Sequence, residues 1–439
     1  MKTNEGVYMS ELHYYREIDS EAWESDVVNS DRPVVVDFYS DECPPCDALA
    51  PKFSSLAALW HKDVNFVKIF RQQNRPLAEK LGVRGSPTVL FFNNGTETGN
   101  RLSGGIRRSD LLRNLEAMVP VERAETIRCA QTPVRSSCDV LVIGAGPAGL
   151  TAGMYTGQAK LKTVIVDTGL SGGNVATTHQ VGNFPGFSKP VPGWQLAHNM
   201  TEHAKTAGCL FREAVDVTAF DPERREVVLD GVETVSARYV VIATGNSPRP
   251  IGIPGEKEYK GKGISYCATC DGKYYEGKEV VVIGGGNSAL EESLFLSTYA
   301  SKLTLIHRRG QFRADKGIQE KVRTVSNIES LMSHQPTAFI RREDGRMQVE
   351  LVSTEDGTSK TIVTDGVFVF AGMMTNLPPG TEKLARDEFG AVLGNEDMES
   401  NIPDIYIAGD ARAKRYRQIT TAVNDGTAAA MAITRRHYG

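Results

Sequence analysis

Four of the seven cysteines stand in two Cys-x-x-Cys pairs, Cys43-Pro44-Pro45-Cys46 and Cys267-Ala268-Thr269-Cys270. A dithiol of this kind takes up two electrons and passes them on by thiol–disulfide exchange. Asp271 directly follows the second pair, where a carboxyl group is a candidate to protonate a departing thiolate. Cys43 follows an apolar run, Val34–Tyr39, and opens a helical pattern reaching about Trp60. Its sulfur is therefore expected at the positive end of a helix dipole, which lowers a thiol pKa. Pro44 and Pro45 cost such a helix little, because first-turn N–H groups have no intrahelical partner. Four cysteines could share a zinc ion, but zinc ribbons separate their pairs by about 15–20 residues, and these pairs lie far apart. Cys129, Cys138 and Cys209 are expected to be inert, and the lone His61, His179 and His198 structural.

The elements that must position the second dithiol carry a signal of their own. Gly144-Ala145-Gly146-Pro147-Ala148-Gly149 follows the apolar run Val140–Ile143, and Gly284-Gly285-Gly286-Asn287-Ser288-Ala289 follows Val280–Ile283. Strand, glycine turn and helix in that order cradle a dinucleotide. The first glycine makes the turn, the second admits the pyrophosphate to the backbone, and Gly149 or Ala289 lets helix and strand pack closely. One strand later the two units diverge. Asp167 ends Thr163–Val166, where an acid accepts from a ribose 2′-hydroxyl. His307-Arg308-Arg309 ends Leu303–Ile306, with Arg313 close behind, where arginines pair with a 2′-phosphate. One unit suits FAD or NAD and the other NADP, so two dinucleotides imply hydride transfer from NADPH to a flavin. Asp410, after the strand Ile405–Ala408, could accept from a ribityl hydroxyl.

Composition agrees with a multidomain α/β enzyme. The chain has 439 residues, enough for two to four domains at about 100–200 residues each. Its 50 Lys+Arg nearly balance 54 Asp+Glu, which argues against nucleic acid or an anionic membrane as partner. Glycine is frequent, 42 residues, as repeated tight turns require. No run is long and apolar enough for a membrane span, and Met1–Arg16 lacks a signal-peptide core. A soluble, cytoplasmic protein is expected, a setting where paired cysteines are catalytic more often than structural. The polar stretch 121–137 shows no sustained hydrophobic period and reads as a linker. It would reach about 56–61 Å when extended and average about 21–25 Å as a coil, which lets a dithiol ahead of it visit Cys267/Cys270.

Positions from about 139 to 435 resemble low-molecular-weight thioredoxin reductases, and those from about 32 to 118 resemble thioredoxin. The reductase motifs are the two glycine fingerprints, Asn183-Phe184-Pro185-Gly186-Phe187, Ala243-Thr244-Gly245, Tyr266–Gly272, His307-Arg308-Arg309 with Phe312-Arg313-Ala314, Ala408-Gly409-Asp410 and Tyr416-Arg417-Gln418. The resemblance implies a thioredoxin fold followed by a two-dinucleotide flavoprotein reductase. It divides the chain into 1–120 (thioredoxin-like), the linker 121–137, an FAD domain split into 138–250 and 373–439, and an NADPH domain over 251–372. It adds Asn183, Arg417 and Gln418 to the FAD residues, implies a homodimer with a swinging NADPH domain, and places Cys270 nearer the flavin with Asp271 as proton donor.

On the thioredoxin side Asp37 matches the family's buried carboxylate, Pro51 its helix kink, and Ser86-Pro87-Thr88 its cis-proline loop. The chain departs from that pattern at Pro44, at Glu42, where Trp is usual, and at Asp47, where a base is common. Asp41, Glu42 and Asp47 put like charge around Cys43, and the prolines withhold two N–H groups. A Cys43 pKa above that of an ordinary thioredoxin and a positively fringed partner are expected. The implied activity is an NADPH-dependent disulfide reductase running from FAD to Cys267/Cys270, to Cys43/Cys46, and on to thioredoxin-type protein disulfides. Two alternatives keep the reductase: a peroxiredoxin-reducing flavoprotein of alkyl hydroperoxide reductase type, or an N-terminal docking module with free thioredoxins as substrates.

Overall fold

A computed structural model describes residues 14–178 and 180–439, without the side chain of Cys270. The expectations for His179 and for the thiol of Cys270 lie outside the described residues. The N-terminal domain is a sheet of order β1-β3-β2-β4-β5, from β1 (Arg16–Ile18), β2 (Val34–Tyr39), β3 (Asn65–Phe70), β4 (Thr88–Asn93) and β5 (Thr96–Ser103). Strand periodicity sends alternate residues to opposite faces. Val34, Val36 and Phe38 pack with Trp23, Leu77 and Ala78, the last two on α2 (Arg75–Lys80). Val35 packs instead with Leu49, Phe53 and Trp60 of α1 (Pro44–Trp60) and Leu111 and Leu115 of α3 (Arg108–Ala117). Asp37 shares the face of Val35 and so points beneath α1.

The stretch read as a linker is corrected by the structure. Residues Val121–Cys129 form a helix, α4, whose Ala124 and Ile127 join the core beneath α1. Arg123 grips Asp63 with two 2.7 Å hydrogen bonds. Two buried positions in a short polar helix are too few to show as a hydrophobic period, which is why the sequence concealed it. Strand β6 (Val134–Ile143) then starts at once. Only 130–133 connect the domains, a reach of about 13–14 Å, so the coil dimensions expected above do not apply.

The second domain is split in sequence. Its sheet runs β8-β7-β6-β11-β10-β9, with β22 beside β11. The strands are β6, β7 (Thr163–Val166), β8 (Leu210–Arg212), β9 (Val217–Asp221), β10 (Glu226–Leu229), β11 (Glu233–Ile242) and β22 (Ile405–Ile407). Val140 and Val142 face α5 (Pro147–Gln158) and α11 (Ile419–Tyr438), while Leu141 and Ile143 face the opposite layer, so both sides of β6 are buried. A short α6 (Gly173–Ala176) and α7 (Gly193–Thr206) lie between β7 and β8.

The chain leaves this domain through β12 (Asn246–Pro248) and returns through β21 (Met373–Thr375), which pair antiparallel. Between them an inserted domain forms a parallel sheet of order β13-β20-β14-β15-β16. These are β13 (Ile264–Ser265), β14 (Glu279–Gly284), β15 (Lys302–Ile306), β16 (Ile328–Leu331) and β20 (Gly366–Phe370). An antiparallel ladder, β17 (His334–Arg341), β18 (Met347–Ser353) and β19 (Ser359–Thr364), packs beside it. Its helices are α8 (Ala268–Asp271), α9 (Asn287–Leu296) and α10 (Lys316–Thr324). Among the described residues no helix is long and apolar enough to cross a membrane.

Candidate active site

Strand β6 delivers the first glycine turn to the start of α5. Gly144 has φ 110°, and a Cβ on it would run into the Ala243 carbonyl. A Cβ on Gly149 would strike the Gly144 carbonyl, so both glycines answer to close packing. Gly146, the residue capping α5, differs: a Cβ there meets nothing within 4 Å. Open space at a helix N-terminus is what an approaching pyrophosphate needs. Asp167 accepts from the N–H of Ala145 at 2.6 Å and of Gly169 at 2.7 Å. It therefore anchors the glycine turn, and burial pushes its carboxyl pKa up.

The far end of the same cradle comes from the returning chain. Asp410 lies in the turn after β22, with Oδ1 buried and lacking a hydrogen-bond partner. Burial raises its pKa, and Lys414 and Arg417 oppose that shift. Behind it Asp425, on α11 and 1% exposed, accepts from the Gly409 N–H, Arg412 and Lys414 at 3.0–3.1 Å. Asn183 donates to Gln418 at 3.2 Å, bringing together residues from opposite ends of the domain. Arg417 Nε, Ser171 Oγ and Asn246 Nδ2 are also buried without partners. Native interiors leave few such atoms unpaired; a polyhydroxylated dinucleotide supplies what they lack, so the residues fit that group.

The inserted domain builds a similar turn. A Cβ on Gly284 would lie 2.5 Å from the Ala289 methyl, and one on Gly285 would enter the His307 ring, whereas Gly286 again faces open space. His307 is 6% exposed and stacks on Phe312 at 5.7 Å. Burial, then Arg313 and Arg309, keep its pKa low, and its Nε2 has no partner. His307 thus walls the turn as a neutral ring. Arg308, Arg309 and Arg313 are exposed, and the Arg313 N–H donates to the Gly285 carbonyl at 2.8 Å, fixing the basic segment to the glycine loop. This donor set fits a phosphorylated dinucleotide.

Each dithiol sits at a helix start. Cys267 precedes α8 and is disulfide-bonded. Ser265 accepts from the Cys267 N–H at 3.1 Å and donates to Asp271 at 2.6 Å, so one hydroxyl fixes the proposed acid beside the sulfur's backbone. Cys43 caps α1 and is bonded to Cys46. The Cys46 N–H reaches Cys43 Sγ at 3.3 Å, and the carbonyl of Ser86, before cis-Pro87, lies 3.6 Å from the same sulfur. Asp41, Glu42 and Asp47 are all exposed around it. Asp37 is buried, its Oδ1 unpartnered and Oδ2 3.7 Å from Lys68; burial lifts its pKa to about 6 against the pull of Lys68.

A family model described as pyridine nucleotide-disulphide oxidoreductase matches residues 138–426, every element of the two cradles up to α11 included. The chain belongs to the pyridine nucleotide-disulphide oxidoreductase family. A thioredoxin model matches residues 15–117 of this oxidoreductase. The thioredoxin reductase of Bacillus subtilis is 40% identical over 301 residues, covering 68% of this chain and 94% of that protein. Among solved structures, thioredoxin reductase from Giardia duodenalis aligns with TM-score 0.61 and 31% identity over 68% of this chain and 98% of its own. That of Streptococcus pyogenes aligns at 0.60 and 31%, over 69% and 99%. The oxidoreductase is a flavoenzyme of thioredoxin reductase type behind a thioredoxin domain, and these relatives do not favour the peroxiredoxin-reducing alternative.

Several residues of the oxidoreductase that shape the site carry no motif. Ser265 works through its spacing from Cys267 and Asp271. Asp425 is a carboxylate in an alanine-rich helix, a placement that is costly unless cations meet it; that oddity was the available signal. Glu256, 4% exposed, accepts from the N–H of Ile251 and Gly252 and from Tyr266, and so ties the entry of the inserted domain to the segment before Cys267. Two of its three partners are backbone N–H groups, which leave no trace in sequence.

Proposed function

We propose that this oxidoreductase takes two electrons from NADPH through FAD to Cys267/Cys270, hands them to Cys43/Cys46, and delivers them to protein disulfides. The observation that carries the reading is that one chain joins two dinucleotide cradles to two Cys-x-x-Cys pairs, with Cys43/Cys46 at the head of α1 against cis-Pro87. In this reading Gly144, Gly146, Gly149 and Asp167 hold the adenosine side of FAD, and Asn183, Asp410, Arg417 and Gln418 its flavin side. Gly284, Gly286 and Ala289 hold NADPH, with Arg308, Arg309 and Arg313 on the 2′-phosphate and His307 behind them. When bound, the dinucleotides supply the hydride and the two-electron carrier that reduce the Cys267/Cys270 disulfide.

Each later transfer is thiol–disulfide exchange. A thiolate of the reduced pair attacks one sulfur of the Cys43–Cys46 disulfide, that bond breaks, and a mixed disulfide forms. The second thiolate of the attacking pair resolves it, leaving one pair oxidised and the other a dithiol, with two electrons and two protons moved. Asp271, fixed by Ser265, acts earlier, protonating the thiolate released when the Cys267/Cys270 disulfide itself is reduced. Asp37 exchanges a proton near neutral pH beneath α1. We assign the enzyme to the cytoplasm as a homodimer, in keeping with its family resemblance and paired cysteines.

NADPH oxidation by wild type and Cys43→Ser, with insulin and with a small aromatic disulfide as acceptors, tests the relay. Insulin turnover should fall to background in the variant while small-disulfide turnover persists. Unchanged insulin turnover would instead make the N-terminal domain a docking module.

A further inference from the structure

Away from the cradles and dithiols, a polar seam joins the N-terminal domain to the split domain. Lys52 on α1 is 7% exposed; its Nζ donates to the Ile106 carbonyl at 3.1 Å and, across the seam, to the Glu213 carbonyl at 2.8 Å. Arg107 lies 3.1 Å from one oxygen of Asp216, and Ser109 donates to the other at 2.5 Å. Between these polar ties Leu170 lies against Gly105, where an added Cβ would stand 3.2 Å from Leu170 Cγ.

The receiving surface is held rigid from behind. The Glu213 carboxylate accepts from the Ser171 N–H at 2.8 Å, and the Ala214 N–H donates to Gly169 at 2.8 Å. The Asp216 N–H donates to Asp230 at 2.7 Å. The acceptors therefore stand ready before the other domain arrives, which is how an interface avoids ordering costs.

What sits on this surface is the rim of a dithiol. The β4–β5 ladder pairs Thr88 with Ser103, so Gly104, Gly105 and Ile106 leave the sheet beside cis-Pro87. The carbonyl before that proline is 3.6 Å from Cys43 Sγ. In this arrangement Cys43 and Cys46 are 7% and 8% exposed. Exchange needs a sulfur nucleophile to approach a disulfide sulfur directly, and a protein that reached this rim would meet Leu170 and Asp216 already there.

We propose that Leu170, Asp216 and the Glu213 carbonyl form a docking seat for the rim of the N-terminal dithiol, and that Cys43/Cys46 exchange electrons only after leaving it. The second half rests on the relay reading above; the first does not. With only 130–133 between the domains, departure is a pivot of the N-terminal domain about a short strap.

The test uses the full-length chain reduced by a phosphine, without NADPH, and follows Cys43 alkylation by iodoacetamide with mass spectrometry. Asp216→Asn on the seat and Arg107→Ala/Ser109→Ala on the docked face should each raise the rate about tenfold or more, since each weakens or removes both charge-assisted ties to Asp216. Molar salt should raise the wild-type rate toward theirs. Small-disulfide turnover through Cys267/Cys270 should be unchanged in Asp216→Asn, which shows an intact fold. Equal alkylation rates in wild type and both variants would overturn the seat. Failure of the relay alone shows separately, as insulin turnover insensitive to Cys43→Ser.

Discussion

Replacing Asp37 by asparagine should stabilise the N-terminal domain at neutral pH by an amount that depends on pH in a defined way. Burial lifts the Asp37 carboxyl from 3.8 to about 6. At 1.36 kcal/mol per pKa unit, keeping it ionised in the fold costs about 3 kcal/mol. The folded pKa lies above the unfolded one, so the folded domain binds the extra proton in between, and stability falls as pH rises through that window. Above about pH 6 the full cost stands, and below the unfolded value there is none. The amide has the same shape and no charge, so its gain should be about 3 kcal/mol at pH 7.5 and about 1 kcal/mol at pH 4.5. Native-state hydrogen exchange of the β2 and β4 amides in the oxidised full-length chain reads this directly. A gain equal at the two pH values, or none at pH 7.5, would refute the account of Asp37 as a buried carboxyl held in place at a cost.

Two further outcomes follow from the cradles. Asp410→Ala removes a buried acceptor that has Lys414 3.6 Å away but no hydrogen bond to Oδ1. It should weaken FAD binding about 10- to 100-fold, read as flavin fluorescence released on dilution. Arg308→Ala combined with Arg309→Ala should lower the preference for NADPH over NADH by about tenfold or more, seen as a rise in KM for NADPH with that for NADH unmoved.

Both glycine turns were legible because each is built from neighbours in sequence: strand, turn and helix start lie within one short window, and Gly146 and Gly286 face open space. The placement of Cys43 at a helix start was legible for the same reason. Helix α4 was not, since two buried side chains in a polar run give no period. Asp167 read as a ribose partner, but its bonds to Ala145 and Gly169 make it a brace of the turn as well. His307 read with the arginines behind it, yet its ring is packed against Gly285 and only the arginines reach solvent. The docking seam was invisible in sequence. Lys52, Arg107 and Asp216 are residue types that usually stay in water, and they come from places in the chain that only the fold unites.

The split domain also imposes an order of assembly during synthesis. Strand β11 takes β22 as its parallel neighbour, Val240 against Ile405, and α5 is covered by α11. Residues 134–250 thus leave the ribosome long before the strand and helix that cover them. At bacterial and eukaryotic elongation speeds of about 5–20 residues per second, the nascent chain waits roughly 8–30 seconds while the inserted domain is made. The N-terminal and inserted domains can close meanwhile. The strand and helix that complete the layer emerge only after that delay, so the half-built sheet stays uncovered until then.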